Sequence, residues 1–337
     1  MAEVPGATEG PAELAAVRAR RVLAEDALRL RGRSLISIDD LTPAELLLTL
    51  DLADDLREAR AAGERVVDWH GARALMMVFE KPSLRTRVTF DLGMREMGGH
   101  AVFLGPTDIA LGAREPVKDA ARNFARWSSA IMARVFDHGT VVGLRDHSGI
   151  PTINGLSDHE HPCQALADLG ALRLRKGPLE GLKLAWMGDG NNVLHSLMLA
   201  GAMVGLRVHA ACPEGYEPDR AVVSRARELA GSVDAIMVTS DIREALAGAD
   251  AVYTDVWASM GQESEAAARR LVFAPYQVNS AAMALARPGA VFMHCLPAHR
   301  GDEVTDDVLD SPASIVFDEA EYRLHAQKAV LALLLGP

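Results

Sequence analysis

Long apolar runs are missing from this chain. No stretch among its 337 residues approaches the roughly 20 consecutive apolar positions that a bilayer span needs, so no membrane residence is expected. Cysteine is scarce, with three residues at positions 163, 212 and 295. An odd handful in a long chain is no disulfide framework and suits a reducing compartment, with the cytoplasm as the default location. A basic excess is also lacking: 35 Lys and Arg stand against 46 Asp and Glu, a net charge of −11. That balance removes the broad basic footprint that nucleic acid requires, and basic residues have to be read singly. Internal repeats of the solenoid kind and low-complexity tracts are absent too.

What is present is enough chain for two hydrophobic cores of about 150 residues each, and two cores imply a cleft between them. Residues 1–34 stand apart. Pro5, Gly6, Gly10 and Pro11 lead into an Ala/Arg/Glu-rich stretch that reads as a flexible extension, helical in its later part. It has no apolar core for a secretory signal, and Glu3, Glu9, Glu13, Glu25 and Asp26 contradict the acid-poor composition of a transit peptide.

From Leu41 the run Leu-Thr-Pro-Ala-Glu reads as a helix start, with Thr42 as N-cap, Pro43 in the first turn and Glu45 three residues after the cap. The helix is expected to run to about Ala62. Short apolar runs then alternate with turns and amphipathic helices: Ala74 to Phe79, Ala130 to Val135, and Thr152 to Asn154 leading into a helix from His161 to Lys176. After the turn Lys176 to Gly181 a second series follows, at Lys183 to Met187, Arg207 to Cys212, Ala235 to Val238, Ala251 to Thr254 and Ala290 to His294. Such alternation implies parallel strands with crossover helices. The fold class is therefore α/β, with two doubly wound domains of parallel sheet. The closing helix carries Leu324, Val330, Leu331 and Leu334 as a buried stripe that can dock on the first domain.

Four clusters carry chemistry. Lys81-Pro-Ser83-Leu-Arg85-Thr86-Arg87 follows a strand and opens a helix, so free N–H groups and the positive end of the helix dipole face whatever binds there. Ser83 and Thr86 add hydroxyls, and Arg85 can fork onto phosphate oxygens. Arg85 and Arg87 diverge on a helix, so one of them, Arg85, is expected to grip. The plain alternative is an N-cap with solvated arginines. His161-Pro-Cys-Gln164 lies at another strand-to-helix junction, where His161 either caps or donates to a carbonyl oxygen and Gln164 can bond an amide or carbamoyl group; Cys163 reads as a small buried hydrophobe.

Asp255, after the strand ending at Thr254, can cap a helix or hold an ammonium, and Ser259 with the backbone at Met260 and Gly261 can receive a carboxylate. In His294-Cys295-Leu296-Pro297 the residue before proline is held extended. Cys295 can be a nucleophile activated by His299, a metal ligand with His294 and His299, or a soft partner for a neutral amine. Adjacent His294 and Cys295 chelate one metal awkwardly, so no metal is expected. Gly188-Asp-Gly190 after a strand invites a dinucleotide reading, yet Val193 replaces the third glycine and no acidic residue stands about 20 residues on. No cofactor is expected. Asn191 and Asn192 can instead bond a substrate carboxylate.

These clusters, in this order from about Arg33 to the C-terminus, resemble the aspartate/ornithine transcarbamylase family. Ser83-Leu-Arg-Thr-Arg87 is similar to its carbamoyl-phosphate motif, and His161-Pro-Cys-Gln164 to its second carbamoyl-phosphate element. Asp255-x-x-x-Ser259-Met260-Gly261 and His294-Cys295-Leu296-Pro297 resemble the ornithine branch. The resemblance implies a carbamoyl-phosphate-binding domain at 35–165, an ornithine-binding domain at 166–312, and a C-terminal helix at 313–337 returning to the first. It implies that Ser83, Leu84, Arg85, Thr86, Arg134, His161, Gln164, Leu296 and Arg323 hold carbamoyl phosphate, while Asn192, Asp255, Ser259, Met260 and Cys295 hold ornithine. It also implies a cis peptide at Leu296-Pro297 and a homotrimer, or a multiple of three, with sites at subunit interfaces. Three positions depart from the family pattern: Leu84 replaces a usual threonine, Ala110 a glutamine offered to the neighbouring subunit, and Tyr322 an asparagine. Each is expected to weaken carbamoyl-phosphate affinity.

The implied reaction is attack of the neutral δ-amine of ornithine on the carbonyl carbon of carbamoyl phosphate, giving citrulline and phosphate, in arginine biosynthesis or in the reverse, degradative direction. Arg134, His161 and Thr86 would stabilise the carbonyl oxygen, Ser83 and Arg85 the leaving group, and Cys295 would orient the amine. Rival readings are a transcarbamylase for putrescine or an N-acylated ornithine, a nucleotide-binding oxidoreductase, and a non-catalytic binding or assembly homologue.

Overall fold

The computed structural model describes residues 11–25, 27–258 and 263–337. The later part of the extension is helical, as its sequence reads, and it is also packed against the fold. Residues Pro11–Glu25 form a helix, α1, that packs on α2 (Pro43–Ala61). The reason is local: Ala15, Ala16, Ala19 and Leu23 lie buried, and Arg18 donates through Nε and Nη2 to Asp55 Oδ1 at 2.8 and 2.6 Å. Residues 1–10 lie outside the described part. At the start of α2 the capping box forms as its sequence dictates, with Thr42 Oγ1 accepting the Glu45 N–H at 3.3 Å and Glu45 accepting the Thr42 N–H at 2.8 Å.

The first sheet is built from β1 (Ala74–Phe79), α3 (Leu84–Glu96), β2 (His100–Leu104), the single-turn α4 (Pro106–Ile109), α5 (Val117–Trp127), β3 (Ala130–Arg134), α6 (His138–Ser148) and β4 (Thr152–Leu156). Its strands run parallel in the order β2-β1-β3-β4. Helix α7 (Pro162–Lys176) leads into the second unit: β5 (Lys183–Met187), α8 (Asn192–Met203), β6 (Arg207–Ala211), α9 (Arg220–Ala230), β7 (Ile236–Thr239), α10 (Ile242–Leu246), β8 (Ala251–Thr254), α11 (Ala266–Phe273), α12 (Ser280–Met283), β9 (Val291–Met293) and α13 (Asp306–Leu309). These strands are also parallel, in the order β7-β6-β5-β8-β9. The α/β class with two parallel-sheet domains is thus the observed architecture. Strand β2 is absent from the sequence-based expectation because it is a half-exposed edge strand, without the continuous burial that makes β1, β3 and β5 legible.

Strand order places the chemistry. In the first sheet the order reverses direction between β1 and β3, and in the second between β5 and β8. Such switch points open crevices at the carboxyl ends of strands. Ser83 and Arg85 follow β1 and Arg134 ends β3; Asn191 follows β5 and Asp255 follows β8.

Helix α14 (Val316–Leu335) closes the fold by packing on α2, α3 and α7. Nearly every residue along it is buried, far beyond the stripe its sequence suggests. Full burial of each leucine contributes about 2 kcal/mol of transfer free energy. Trp69 Nε1 donates to the Gly336 carbonyl at 2.8 Å and fixes the end of this helix against the first domain. Between the domains, Glu160 accepts the Ile38 N–H at 3.0 Å and the Ser196 hydroxyl at 2.9 Å, and Asn192 Nδ2 donates to the Ser157 carbonyl at 2.5 Å. Among the described residues, no helix is long and apolar enough to cross a membrane.

Candidate active site

The two switch points face one cavity of about 1230 Å³. Its first wall is cationic. Arg134, at 7 % exposure, and Arg85 project into it without a carboxylate partner among the described residues. Burial pushes the Arg134 guanidinium down to about 10, reinforced by Arg323 and Arg85 nearby. Arg323 reaches in from α14, donating through Nη1 to Gln164 Oε1 at 2.6 Å and through Nη2 to Thr86 Oγ1 at 3.0 Å. The Nε atoms of Arg134 and Arg323 are buried without a hydrogen-bond partner. Cations this deep and this close repel one another, so the wall is complete only with an anion between them.

The N-terminus of α3 joins this wall. Ser83 is its N-cap, accepting the Thr86 N–H at 3.2 Å, so the hydroxyl proton remains free to donate. Arg87 turns away and lies over the Phe103 ring at 3.9 Å, leaving Arg85 as the arginine of this motif that faces the cavity. His161 occupies the N-cap position of α7 but makes no capping bond there; its ring is buried and lines the cavity, with Nδ1 unpartnered. Burial, then Arg323 and Arg134, hold its pKa well below the usual imidazole range, so the ring is neutral and one nitrogen is a donor. Cys163, in the first turn of α7, is buried as a small hydrophobe would be, its thiol donating to the Asn154 carbonyl at 3.7 Å.

The opposite wall is acidic and soft. Cys295 Sγ donates to Asp255 Oδ1 at 3.1 Å, and Asn191 Nδ2 donates to Asp255 Oδ2 at 2.8 Å. Burial and then Asp255 push the thiol well above its ordinary pKa, so it is protonated at neutral pH. His299 does not activate it. That imidazole is exposed and its Nδ1 lies 3.6 Å from Glu303 Oε2, so the nucleophile reading loses its base. Leu296 departs from the extended backbone expected before proline, with φ of 58° in the left-handed region and a cis peptide to Pro297.

Asp255, His294 and Cys295 place donor atoms within 4.8 Å of one another. Both nitrogens of His294 are committed, however: Nδ1 accepts the Leu296 N–H at 2.8 Å and Nε2 faces Glu303 at 3.3 Å. The histidine therefore holds the turn after β9, and the set does not fit a metal ion.

From the first domain and α14, the cavity gathers Ser83, Leu84, Arg85, Thr86, Arg134 and Arg323, with His161 and Gln164 at the start of α7. From the second it gathers Asn192, Asp255, Cys295 and Leu296. Ser259, Met260 and Gly261 lie outside the described residues. Leu84 is 74 % exposed, and its backbone N–H belongs to the α3 terminus. Ala110 adopts φ of 44°, and Tyr322 points away from the cavity, its hydroxyl donating to Asp54.

Sequence reasoning gave no role to two residues on the cavity. Lys81 is 8 % exposed, its ammonium 4.4 Å from the Phe136 ring centroid, and burial lowers its pKa. Its signal was adjacency to Ser83. Arg269 pairs with Asp189 at 3.0 Å and donates to the Trp257 carbonyl at 2.9 Å. Nothing local in the sequence distinguishes that arginine from its neighbour Arg270.

Fold and cavity together define the class: a two-domain α/β transferase whose cationic wall faces a thiol and a carboxylate. Family models match almost the whole chain, with the carbamoyl-P binding domain of aspartate/ornithine carbamoyltransferase at residues 33–173 and the Asp/Orn binding domain at 180–334. The chain belongs to the aspartate/ornithine carbamoyltransferase family. It is 51% identical over 310 residues to the ornithine carbamoyltransferase of Pyrococcus abyssi, covering 91% of this chain and 97% of that protein. The ornithine carbamoyltransferase of Anoxybacillus flavithermus is 50% identical over 309 residues, covering 91% and 98%. The solved ornithine carbamoyltransferase of Pyrococcus furiosus superposes with a TM-score of 0.87 at 49% identity, covering 91% of this chain and 98% of that one.

Proposed function

We infer that this chain transfers the carbamoyl group of carbamoyl phosphate to the δ-amine of L-ornithine, giving L-citrulline and phosphate. The observation that carries the reading is the convergence of Arg85, Arg134, Arg323 and Lys81, without carboxylate partners among the described residues, opposite the Cys295–Asp255 pair. A doubly charged acyl donor neutralises the first wall, and an amine nucleophile suits the second.

In this reading Ser83, Arg85 and the Leu84 N–H group take the phosphate, and Arg134, His161 and Thr86 the carbonyl oxygen. Gln164 and the Leu296 carbonyl take the carbamoyl nitrogen, with Arg323 setting Gln164. Asn192, Asp255, Ser259 and Met260 hold the amino-acid end of ornithine, and Cys295 orients its tail. The δ-nitrogen lone pair forms the new C–N bond as the C–O bond to phosphate breaks. Phosphate leaves with the bonding electrons and takes up the proton that nitrogen loses. Charge grows on the carbonyl oxygen and the leaving group, where preorganised donors contribute a few kcal/mol each.

The partners are the two substrates and further copies of this chain. Leu84, Val88 and Leu92 recur every four residues along α3 and are 74 %, 43 % and 40 % exposed. An exposed apolar stripe supports contact with a further copy of this chain, and the reading takes the assembly as a trimer, or a multiple of three, located in the cytoplasm.

Formation of the ureido product, measured in parallel with ornithine, putrescine and acetylornithine, tests the reading. Turnover with ornithine alone, giving citrulline, is expected. Faster turnover with putrescine or acetylornithine, giving carbamoylputrescine or acetylcitrulline, moves the assignment to that amine, and no ureido product from any of them sinks it.

A further inference from the structure

Beneath the cavity two carboxyl groups meet in a dry interior. Asp168 on α7 and Glu319 on α14 are fully buried where the two helices pack, close enough that each carboxyl acts on the other's titration. Asp168 Oδ1 accepts the Gln164 Nε2–H at 2.7 Å, and Oδ2 accepts the Tyr253 hydroxyl at 3.2 Å. Glu319 Oε2 accepts the backbone N–H of His294 at 3.1 Å, and its Oε1 finds no donor. Two bare carboxylates this close cannot both ionise away from water, so one keeps its proton.

The surroundings decide which. Asp168 receives two donors and feels the Arg323 guanidinium, while Glu319 receives one backbone N–H and lies near the Asp318 carboxylate. Asp168 is the better stabilised anion. Burial moves both groups up, and Glu319, with the fewer donors and the Asp318 carboxylate nearby, is moved further.

We propose that Glu319 is a positioning residue whose carboxylic acid O–H donates to Asp168, and that this pair orients the two walls of the cavity at once. Toward the cationic wall, the Asp168 carboxylate can accept only N–H from Gln164. That fixes the amide with Oε1 toward Arg323, which in turn holds Thr86. Toward the other wall, Glu319 grips the His294 N–H at the end of β9, one residue before Cys295. The pair thus spans α7, α14, β8 and β9. The inference rests on the carbamoyl-transfer reading for its kinetic consequence, but not for the protonation itself.

The test uses the full-length protein and three substitutions. Glu319→Gln keeps one donor for Asp168 and one acceptor for His294, so kcat and KM for carbamoyl phosphate are expected to stay within about threefold of wild type. Glu319→Leu removes both bonds, and Asp168→Asn leaves the Gln164 amide free to flip. Each is expected to lower kcat/KM by about 10- to 100-fold, the usual effect of losing a hydrogen bond to a charged group. Infrared difference spectra of the unliganded proteins at neutral pH supply a readout without turnover: a protonated-carboxyl carbonyl band present in wild type disappears in Glu319→Gln. An unchanged carbonyl region overturns the proposal, as does a Glu319→Gln variant as impaired as Glu319→Leu. A wild-type protein that makes no citrulline sinks the transfer reading alone, because the spectra still decide the state of the pair.

Discussion

Arg323 Nη1 and Gln164 Oε1 lie 2.6 Å apart, joining the closing helix to the helix that begins after His161. The same guanidinium reaches Thr86 Oγ1 at 3.0 Å, so one side chain ties three segments far apart in sequence. Replacing it with lysine keeps the charge but loses the planar fork. Arg323→Lys is expected to raise KM for carbamoyl phosphate about 10- to 100-fold, one or two charge-assisted hydrogen bonds' worth, with an unchanged circular dichroism spectrum. A KM equal to that of wild type shows that the fork does not shape the donor site.

Cys295 yields a prediction because its only hydrogen-bond partner among the described residues is a carboxylate, Asp255 at 3.1 Å. That contact and burial keep the thiol protonated, the reverse of an activated nucleophile. Iodoacetamide at pH 7.5 should label Cys295 more slowly than a free thiol. Cys163 and Cys212 are closed off from solvent, whereas Cys295 lines the cavity, so those two should be slower still. Cys295→Ser should cost about tenfold in kcat, as a lost orienting contact does. Complete loss of turnover together with a trapped carbamoyl-thioester would establish covalent catalysis instead.

Much of this was legible in the sequence, for identifiable reasons. Strands β1, β5 and β8 coincide with Ala74 to Phe79, Lys183 to Met187 and Ala251 to Thr254 because fully buried parallel strands are written as unbroken apolar runs. The cap at Thr42 is local and was equally readable. What stayed hidden depends on distant partners. Arg269 is indistinguishable from Arg270 until Asp189 lies beside it, and Asp168 and Glu319 become a pair only when α14 returns across α7. The packing of α1 was hidden in the same way, since its alanines signal burial only once α2 is opposite.

Acid stability follows from His325. The ring is fully buried on α14 beside Lys328, Arg60 and Arg57, and burial with those cations holds its pKa down to about 3, although Glu96 opposes them. In the unfolded chain the same imidazole takes a proton near pH 6.5. Between those values the unfolded state binds more protons, so stability is complete above about 6.5 and declines as pH falls toward 3. The slope from one such group is about 1.4 kcal/mol per pH unit. Denaturant unfolding at intervals from pH 7 to 4.5 should show His325→Gln losing stability less steeply than wild type; parallel curves would mean that His325 is protonated in the fold.

Assembly supplies the last prediction, because the α3 stripe runs from the cavity rim outward. Leu84 opens the helix that presents Ser83 and Arg85 to the cavity, and Val88 and Leu92 continue the same exposed face. Burying three such side chains against a neighbour would contribute about 1.5–3 kcal/mol each at most, enough to matter for association and irrelevant to the isolated fold. Charges there should therefore separate subunits without unfolding them. Val88→Asp with Leu92→Lys is expected to shift the mass measured by light scattering from a multiple of three chains to one. Circular dichroism should be retained, and citrulline formation should fall because each α3 terminus loses its neighbour. A variant that keeps both mass and turnover would place the subunit contact elsewhere and leave the stripe as plain solvent-facing surface.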